Sequence, residues 1–231
     1  MKRLVVLSLA CLLSATALSV DAKPSVIGEA YDPESGRLLY REEHRFYSAT
    51  KHEVLYQTAD GEVFANKQLD YSRSDMTPAF SMTNQWSGET IDIQWQNSDL
   101  TGRYVSRLKE IERGLKTIAI SRSEPLVIDA GFDGFIRHNW TQLMTGQRIV
   151  FEYIIPTRLV SVPLAIQLTH QEAERYQFTI NAKSRLLNLF VQPIVLQYNS
   201  QRSLVMFNGR SNIADHSGQY LDVVIHFHTV E

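Results

Sequence analysis

Cysteine is almost absent from this sequence. The single cysteine, Cys11, lies inside an apolar N-terminal run. The chain that follows therefore has no thiol for a disulfide, a thiolate metal site or a cysteine nucleophile. The sequence also lacks the G-x-S-x-G motif of serine hydrolases. We accordingly expect neither an enzyme of these classes nor a cofactor.

Charge excess and flexible linkers are also missing. A formal net charge of −2 at pH 7 argues against non-specific binding to nucleic acid or to an anionic membrane surface. No low-complexity tract, repeat or linker rich in proline, serine and glycine divides the chain. Because 44% of the residues are hydrophobic, the chain can bury a sizeable core. We therefore predict a single domain over residues 23–231.

The N-terminus has the layout of a bacterial export signal. Lys2 and Arg3 precede an uncharged apolar run from Leu4 to Val20, and a tolerable cleavage site ends at Ala22. This pattern predicts a signal peptide over residues 1–22 and a periplasmic protein with no transmembrane segment after cleavage. Cleavage after Ala17 and retention of the run as a membrane anchor are the alternatives.

Most of the remaining chain alternates between apolar and polar residues, which is typical of strands with one buried face. Asp60-Gly61 predicts a tight hairpin, and Asp32 to Gly36 has the composition of a turn. The ambiguous segment 102–120 is interpreted as two strands, and residues 183–191 as a short helix. The pattern predicts a mainly β protein.

One segment, DAGFDGFIRHNWTQLMTG, has helical periodicity instead. It predicts an amphipathic helix over about residues 131 to 145, ended by Gly146. The helix has one apolar stripe, formed by Phe132, Phe135, Ile136, Trp140 and Leu143. A lone helix among strands must bury such a stripe on a sheet. We therefore predict a curved antiparallel sheet or open β-barrel packed on one main helix, with Asp129, Asp133 or the glycines near them capping its start.

These segments carry a resemblance. LLYREEH, the helix running into RIVFEYIIP, and YNSQRSLVMFNGRSNI together resemble an uncharacterised family of proteobacterial exported proteins with a domain of unknown function. That family implies no catalytic residues. The predicted architecture is also similar to the periplasmic half-barrels that carry lipoproteins or lipids, in which a curved sheet wraps a helical lid over an apolar cavity. This second similarity concerns architecture alone, which does not fix function.

Two sets of residues are candidates for ligand binding. The helix stripe could form one wall of an apolar cavity, although core packing is the ordinary role of such residues. Asn208, Arg210 and Asn212 could form a polar recognition loop for an anion or a head group. The alternative for this second set is a hairpin turn at Asn208-Gly209.

Two further sets could carry chemistry. His226 and His228 share one face of the last predicted strand and are weak candidates for a metal site. Glu42, Glu43 and His44 offer acid and base groups, but Arg41 and Arg45 lie on the face of Glu43 and favour charge pairing. No spacing identifies a third metal ligand.

Three functions follow, in order of preference. The first is a soluble periplasmic carrier for an apolar or amphipathic, lipid-like molecule. The second is a non-catalytic structural or protein-interaction module of the cell envelope, with an envelope protein as partner. The third is a metal-dependent enzyme that uses His226 and His228.

Overall fold

A computed structural model of the protein describes residues 25–118, 124–184 and 192–230. The predicted signal peptide over residues 1–22 lies outside the described residues. Residues 185–191, which make up most of the expected short helix, also lie outside them. These two predictions therefore stay predictions.

The described residues form fifteen strands and two short helices. In chain order they are β1 (Val26–Tyr31), β2 (Leu38–Phe46), β3 (Lys51–Gln57), β4 (Val63–Asp70), β5 (Ala79–Asn84), β6 (Glu89–Gln96), β7 (Asp99–Ser106), β8 (Ile111–Thr117), β9 (Leu126–Ile128), α1 (Gly131–His138), α2 (Trp140–Met144), β10 (Ile149–Ile155), β11 (Val160–Glu172), β12 (Arg175–Ala182), β13 (Ile194–Tyr198), β14 (Leu204–Ala214) and β15 (Tyr220–Thr229). The prediction of a mainly β protein is confirmed.

All fifteen strands belong to one curved sheet. Its spatial order is β8-β7-β6-β5-β4-β3-β2-β1-β15-β14-β13-β12-β11-β10-β9. The first and last strands, β1 and β15, pair antiparallel in the middle of this order. Every pairing is antiparallel except that of β9 with β10. Within each half of the sheet, β1 to β8 and β9 to β15, strands that follow one another in sequence lie side by side. The pairing of β1 with β15 joins the two halves.

Local sequence explains the hairpins. Gly61 has φ +89° in the turn between β3 and β4, a conformation that favours glycine. Asp32 accepts hydrogen bonds from the backbone N–H groups of Glu34 and Ser35 in the turn after β1. Both turns and the division of the ambiguous segment into β7 and β8 are confirmed.

The sheet curls without closing through hydrogen bonds in its described part. β8 and β9 stand at opposite ends of the strand order and do not pair with each other. We call this gap the seam. Side chains close it: Leu159 lies so near Gly102 that a Cβ at Gly102 would overlap it, and Arg113 Nε donates to the carbonyl oxygen of Thr157 at 3.2 Å.

The helical segment differs from the prediction in one respect. The single helix expected over residues 131 to 145 is two helices, separated at Asn139. This residue has φ −96° and ψ 13°, and its side-chain amide donates to the carbonyl oxygen of Phe135 at 2.8 Å. The local hydrogen bond of Asn139 competes with helix continuation, which explains the break. We call α1 and α2 together the helical plug.

The helical plug packs inside the curl. Phe135 contacts Phe151 of β10, with ring centroids 4.8 Å apart. Trp140 contacts Phe178 of β12 at 5.3 Å and Tyr198 of β13 at 5.8 Å. The stripe therefore forms a core with β10 to β13, as predicted for a helix packed on a curved sheet.

Close backbone contacts fix the start of the plug. A Cβ at Gly131 would overlap the carbonyl oxygen of Met76, and a Cβ at Gly134 would overlap the backbone of Asp75. These contacts join α1 to the loop between β4 and β5. The plug thus bridges the two halves of the sheet.

We expect Gly131→Ala to lower the free energy of unfolding by about 1 to 3 kcal/mol, because the added methyl group forces the helix away from Met76. Gly114→Ala is the matched control, since nothing lies within 4 Å of its added Cβ. Chemical denaturation of both variants measures the difference. Equal stability of the two variants would show that the plug tolerates displacement from this loop.

Candidate functional site

The predicted cavity wall lies in the core. Phe135, Ile136 and Leu143 are fully buried, and Trp140 is nearly so. Phe132 is partly buried and stacks on Tyr153, with ring centroids 4.9 Å apart. All five stripe residues are therefore brought together, in direct contact with the sheet.

The prediction of a recognition loop is wrong. Strand β14 contains all three residues, Asn208, Arg210 and Asn212. It pairs with β13 on one side and β15 on the other, and Asn208 takes part in both pairings. A hairpin turn at this position is equally wrong. Arg210 forms two hydrogen bonds, of 2.9 and 3.0 Å, with the carboxylate of its cross-strand partner Asp222. Asn212 donates instead to the hydroxyl of Tyr56 at 3.4 Å.

The histidine pair has the expected geometry. His226 and His228 lie two residues apart on β15, and both are exposed. Among the residues that the structure describes, no group of three or more His, Cys, Asp or Glu side chains is arranged to hold a metal ion. The pair therefore gains no third ligand from this part of the chain.

The two charged faces of β2 differ. Glu43 pairs with Arg45 at 3.0 Å, as expected, whereas Arg41 pairs with Glu29 of β1 at 3.2 Å. Glu42 and His44 point to the opposite, interior face, and His44 Nε2 lies 3.1 Å from Glu42 Oε2. The acid and base groups noted in the sequence thus divide between a paired outer face and a buried inner one.

A buried polar chain continues from β2 to β3. His52 Nε2 lies 3.1 Å from His44 Nδ1, and the His52 ring stacks on Phe46 with centroids 4.2 Å apart. Burial, reinforced by the nearby charges of His44 and Lys67, lowers the pKa of His52 from 6.5 to about 3. The imidazole of His52 is therefore neutral at physiological pH.

The buried polar chain of Glu42, His44 and His52 reaches solvent at one end. His52 lines a cleft of about 250 Å³ at the end of the β2–β3 hairpin, together with Tyr47, Lys51, Glu53, Gln68 and Leu69. Hydrogen-bonding groups thus run from this cleft through His52 and His44 to Glu42.

A buried ion pair crosses the interior beside this chain. Lys67 Nζ of β4 lies 2.6 Å from Asp129 Oδ1, and the two side chains are 2% and 9% exposed. The same oxygen of Asp129 accepts the backbone N–H of Ala130 at 2.8 Å. We call Lys67 and Asp129 the interior pair.

The interior pair anchors the entrance to the plug. Asp129 has φ +47°, a left-handed conformation that Asp adopts more readily than most residues. It does not cap α1 as predicted, because the N-cap residue is Ala130, which has no side-chain cap. Asp133 makes no such cap either and pairs with Arg137 at 2.9 Å. Asp129 instead ties the turn before α1 to strand β4 of the curled sheet, through its ion pair with Lys67.

Tyrosines surround the interior pair. Burial, followed by the charge of Asp129, raises the pKa values of Tyr71 and Tyr153 well above the usual range. Both phenols therefore stay neutral. Lys67 Nζ also lies 5.6 Å from the centre of the Phe80 ring. Asp129 is consequently the anion that balances the buried ammonium group.

Lys67 and His52 are not among the site residues predicted from the sequence. Alternation along β3 places His52 on the same face as Val54 and Tyr56, and alternation along β4 places Lys67 between Ala65 and Leu69. All of these neighbours are buried. A charged residue inside an apolar face was the signal available in the sequence.

Comparison with known proteins supports the fold. Neither a protein-family model nor a curated protein matches the chain. A solved structure, the β-barrel-like protein of the domain of unknown function DUF1849 from Brucella abortus, matches with a TM-score of 0.50 and 9% sequence identity. The match covers 91% of this chain and 97% of the other. The similarity thus shows a β-barrel-like fold, shared with a proteobacterial domain of unknown function.

We expect the interior pair to be strongly coupled. Lys67→Met or Asp129→Asn alone leaves one buried group without its partner and should lower the free energy of unfolding by about 3 to 5 kcal/mol. The double variant should recover most of that loss, because it leaves no buried charge. A double-mutant cycle by chemical denaturation measures the coupling. Additive losses would mean that the two groups do not interact.

The low pKa of His52 predicts acid sensitivity. The unfolded chain binds a proton at His52 below about pH 6.5 and the folded chain only below about pH 3, so stability falls as the pH falls through this window. The slope is up to about 1.4 kcal/mol per pH unit. His52→Gln should flatten the curve of unfolding free energy against pH, and the exposed-site control His228→Gln should not. An unchanged slope in His52→Gln would assign the acid sensitivity to other groups.

Proposed function

We propose that this is an exported, non-enzymatic binding protein of the bacterial periplasm that carries an apolar or amphipathic, lipid-like molecule inside its curled sheet. Lys2, Arg3 and the apolar run after them support export. No helix of the described residues is long and apolar enough to cross a membrane.

The seam is the observation that carries the proposal. Because β8 and β9 do not pair with each other, the sheet can open there by separating side chains, without breaking its strand ladder. Leu159 and Gly102 mark this contact. A container that opens along one line can admit a large apolar molecule while its remaining strands stay paired.

Displacement of the helical plug would make room for the ligand. α1 has eight residues and α2 has five, and helices of this length have little stability apart from their packing. The walls that the stripe covers are aromatic and aliphatic, including Phe151, Phe178 and Ile180. An apolar ligand that displaces the stripe would therefore meet apolar side chains.

A second candidate function is a protein-interaction module of the envelope. The observation in its favour is β8, where Leu115 is 58% exposed, preceded by Leu108 at 49%. A register shift interrupts the pairing of β7 with β8, and charged residues line β8, two features that discourage addition of another strand. A partner would therefore contact the apolar side chains of this hairpin. The metal-dependent enzyme ranks third, because His226 and His228 gain no third ligand from the described residues.

A disulfide across the seam tests the carrier proposal. Cys11 is the only native cysteine, so the chain after the predicted signal gives a clean background for Gly102→Cys with Leu159→Cys. We expect the reduced protein to take up the apolar probe N-phenylnaphthylamine and the oxidised protein to take it up at least about tenfold more slowly, because a closed seam blocks entry. Fluorescence enhancement of the probe measures uptake.

The matched control is Thr83→Cys with Thr90→Cys, two exposed and directly opposed positions on β5 and β6, where a disulfide should leave uptake unchanged. Equal uptake by the oxidised and reduced seam variants would exclude the seam as the route. Absence of uptake by the wild-type protein, together with empty organic extracts of protein purified without detergent, would favour the interaction module.

A further inference from the structure

The two members of the interior pair belong to different parts of the molecule. Lys67 lies in β4, which is hydrogen-bonded to β3 on one side and to β5 on the other. Asp129 lies in the turn between β9 and the helical plug. If the plug leaves the interior, the cation stays with the wall and its anion moves with the plug.

In the part of the chain that the structure describes, Asp129 is the acidic side chain that pairs with Lys67. Glu42 is hydrogen-bonded to His44, and Asp133 is paired with Arg137 on the plug itself. The phenols of Tyr71 and Tyr153 are neutral, and the Phe80 ring provides only a weak cation–π contact. A buried ammonium group without an anion is strongly unfavourable. A neutral ligand would therefore leave the opened interior with an uncompensated charge.

We propose that the carried molecule is an amphiphile with an acidic head group, a carboxylate or a phosphate, and that Lys67 binds this group in place of Asp129. The inference rests on the carrier function proposed above and names its ligand class. In the ligand-free protein, the Asp129 carboxylate occupies the position of the head group, and the apolar stripe occupies the position of the tail.

The geometry around Lys67 suits such a head group. The ammonium group has three donors, and its single carboxylate partner lies at 2.6 Å. The core around Phe135 and Trp140 begins a few residues further along the plug, in the direction that an apolar tail would extend.

Competition between matched ligands tests the proposal. Oleic acid and oleyl alcohol have the same tail and differ in the charge of the head group. Displacement of bound N-phenylnaphthylamine should show at least about tenfold tighter binding of the acid, since a charge-assisted contact to Lys67 is available to the acid alone. An alkyl phosphate of the same chain length distinguishes a phosphate-binding site from a carboxylate-binding one.

Two variants test whether Lys67 causes the preference for the acid over the alcohol. The double variant Lys67→Met/Asp129→Asn removes both buried charges, so its fold does not depend on an unpaired group. It should bind the alcohol at least as tightly as the wild-type protein does, because no cation is left unpaired, and it should lose the preference for the acid. Lys183→Met, which removes an exposed lysine paired with Glu124, should keep the preference.

The outcomes separate this inference from the carrier proposal. Equal affinity of the wild-type protein for acid and alcohol would overturn the acidic head group and leave the carrier function standing. Preference for the acid that survives in the double variant would overturn the role of Lys67. Binding of neither ligand and no uptake of the probe would overturn the carrier function and this inference together.

Discussion

The interior pair is the interaction that ties the helical plug to the curled sheet. It is the one ion pair in the described residues whose two side chains are both almost inaccessible to solvent, and it joins β4 to the turn that leads into the plug. Surface ion pairs such as Lys51 with Asp70 add little, because water screens them. This buried contact therefore holds the entrance of the plug, together with the close packing of Gly131 on Met76.

The two edge strands of the sheet explain why side-chain contacts, and not backbone hydrogen bonds, close the seam. β9 has only three residues, and its pairing with β10 is parallel, which gives a short and weak edge. β8 has an irregular register with β7 and is exposed on nearly every residue. Neither edge offers a long regular ladder to the other. Apolar packing at Leu159 and the bridge made by the plug close the curl instead.

Local patterns in the sequence predicted the local structure well. Alternation of apolar and polar residues predicted a mainly β protein, and the apolar stripe predicted the helical segment, because both signals depend on residues close in sequence. The pairing of β1 with β15 and the contact of Lys67 with Asp129 depend on topology and could not be predicted this way. The loop expected at Asn208 failed for a different reason: Asn208 and Arg210 are exposed positions of an unbroken strand, which pairs with the strands next to it in sequence, β13 and β15.

The chemistry of the interior argues for a role beyond stability. Replacing a buried ion pair by apolar residues of similar volume is often neutral or stabilising, so a solid core would fold as well with hydrophobic residues in place of both Lys67 and Asp129. The interior also contains Glu42, His44 and His52, whose desolvation opposes folding in the same way. A purely structural barrel gains nothing from these groups. A container that exchanges its own carboxylate for that of a ligand needs a fixed cation at the point of exchange, and Lys67 provides one.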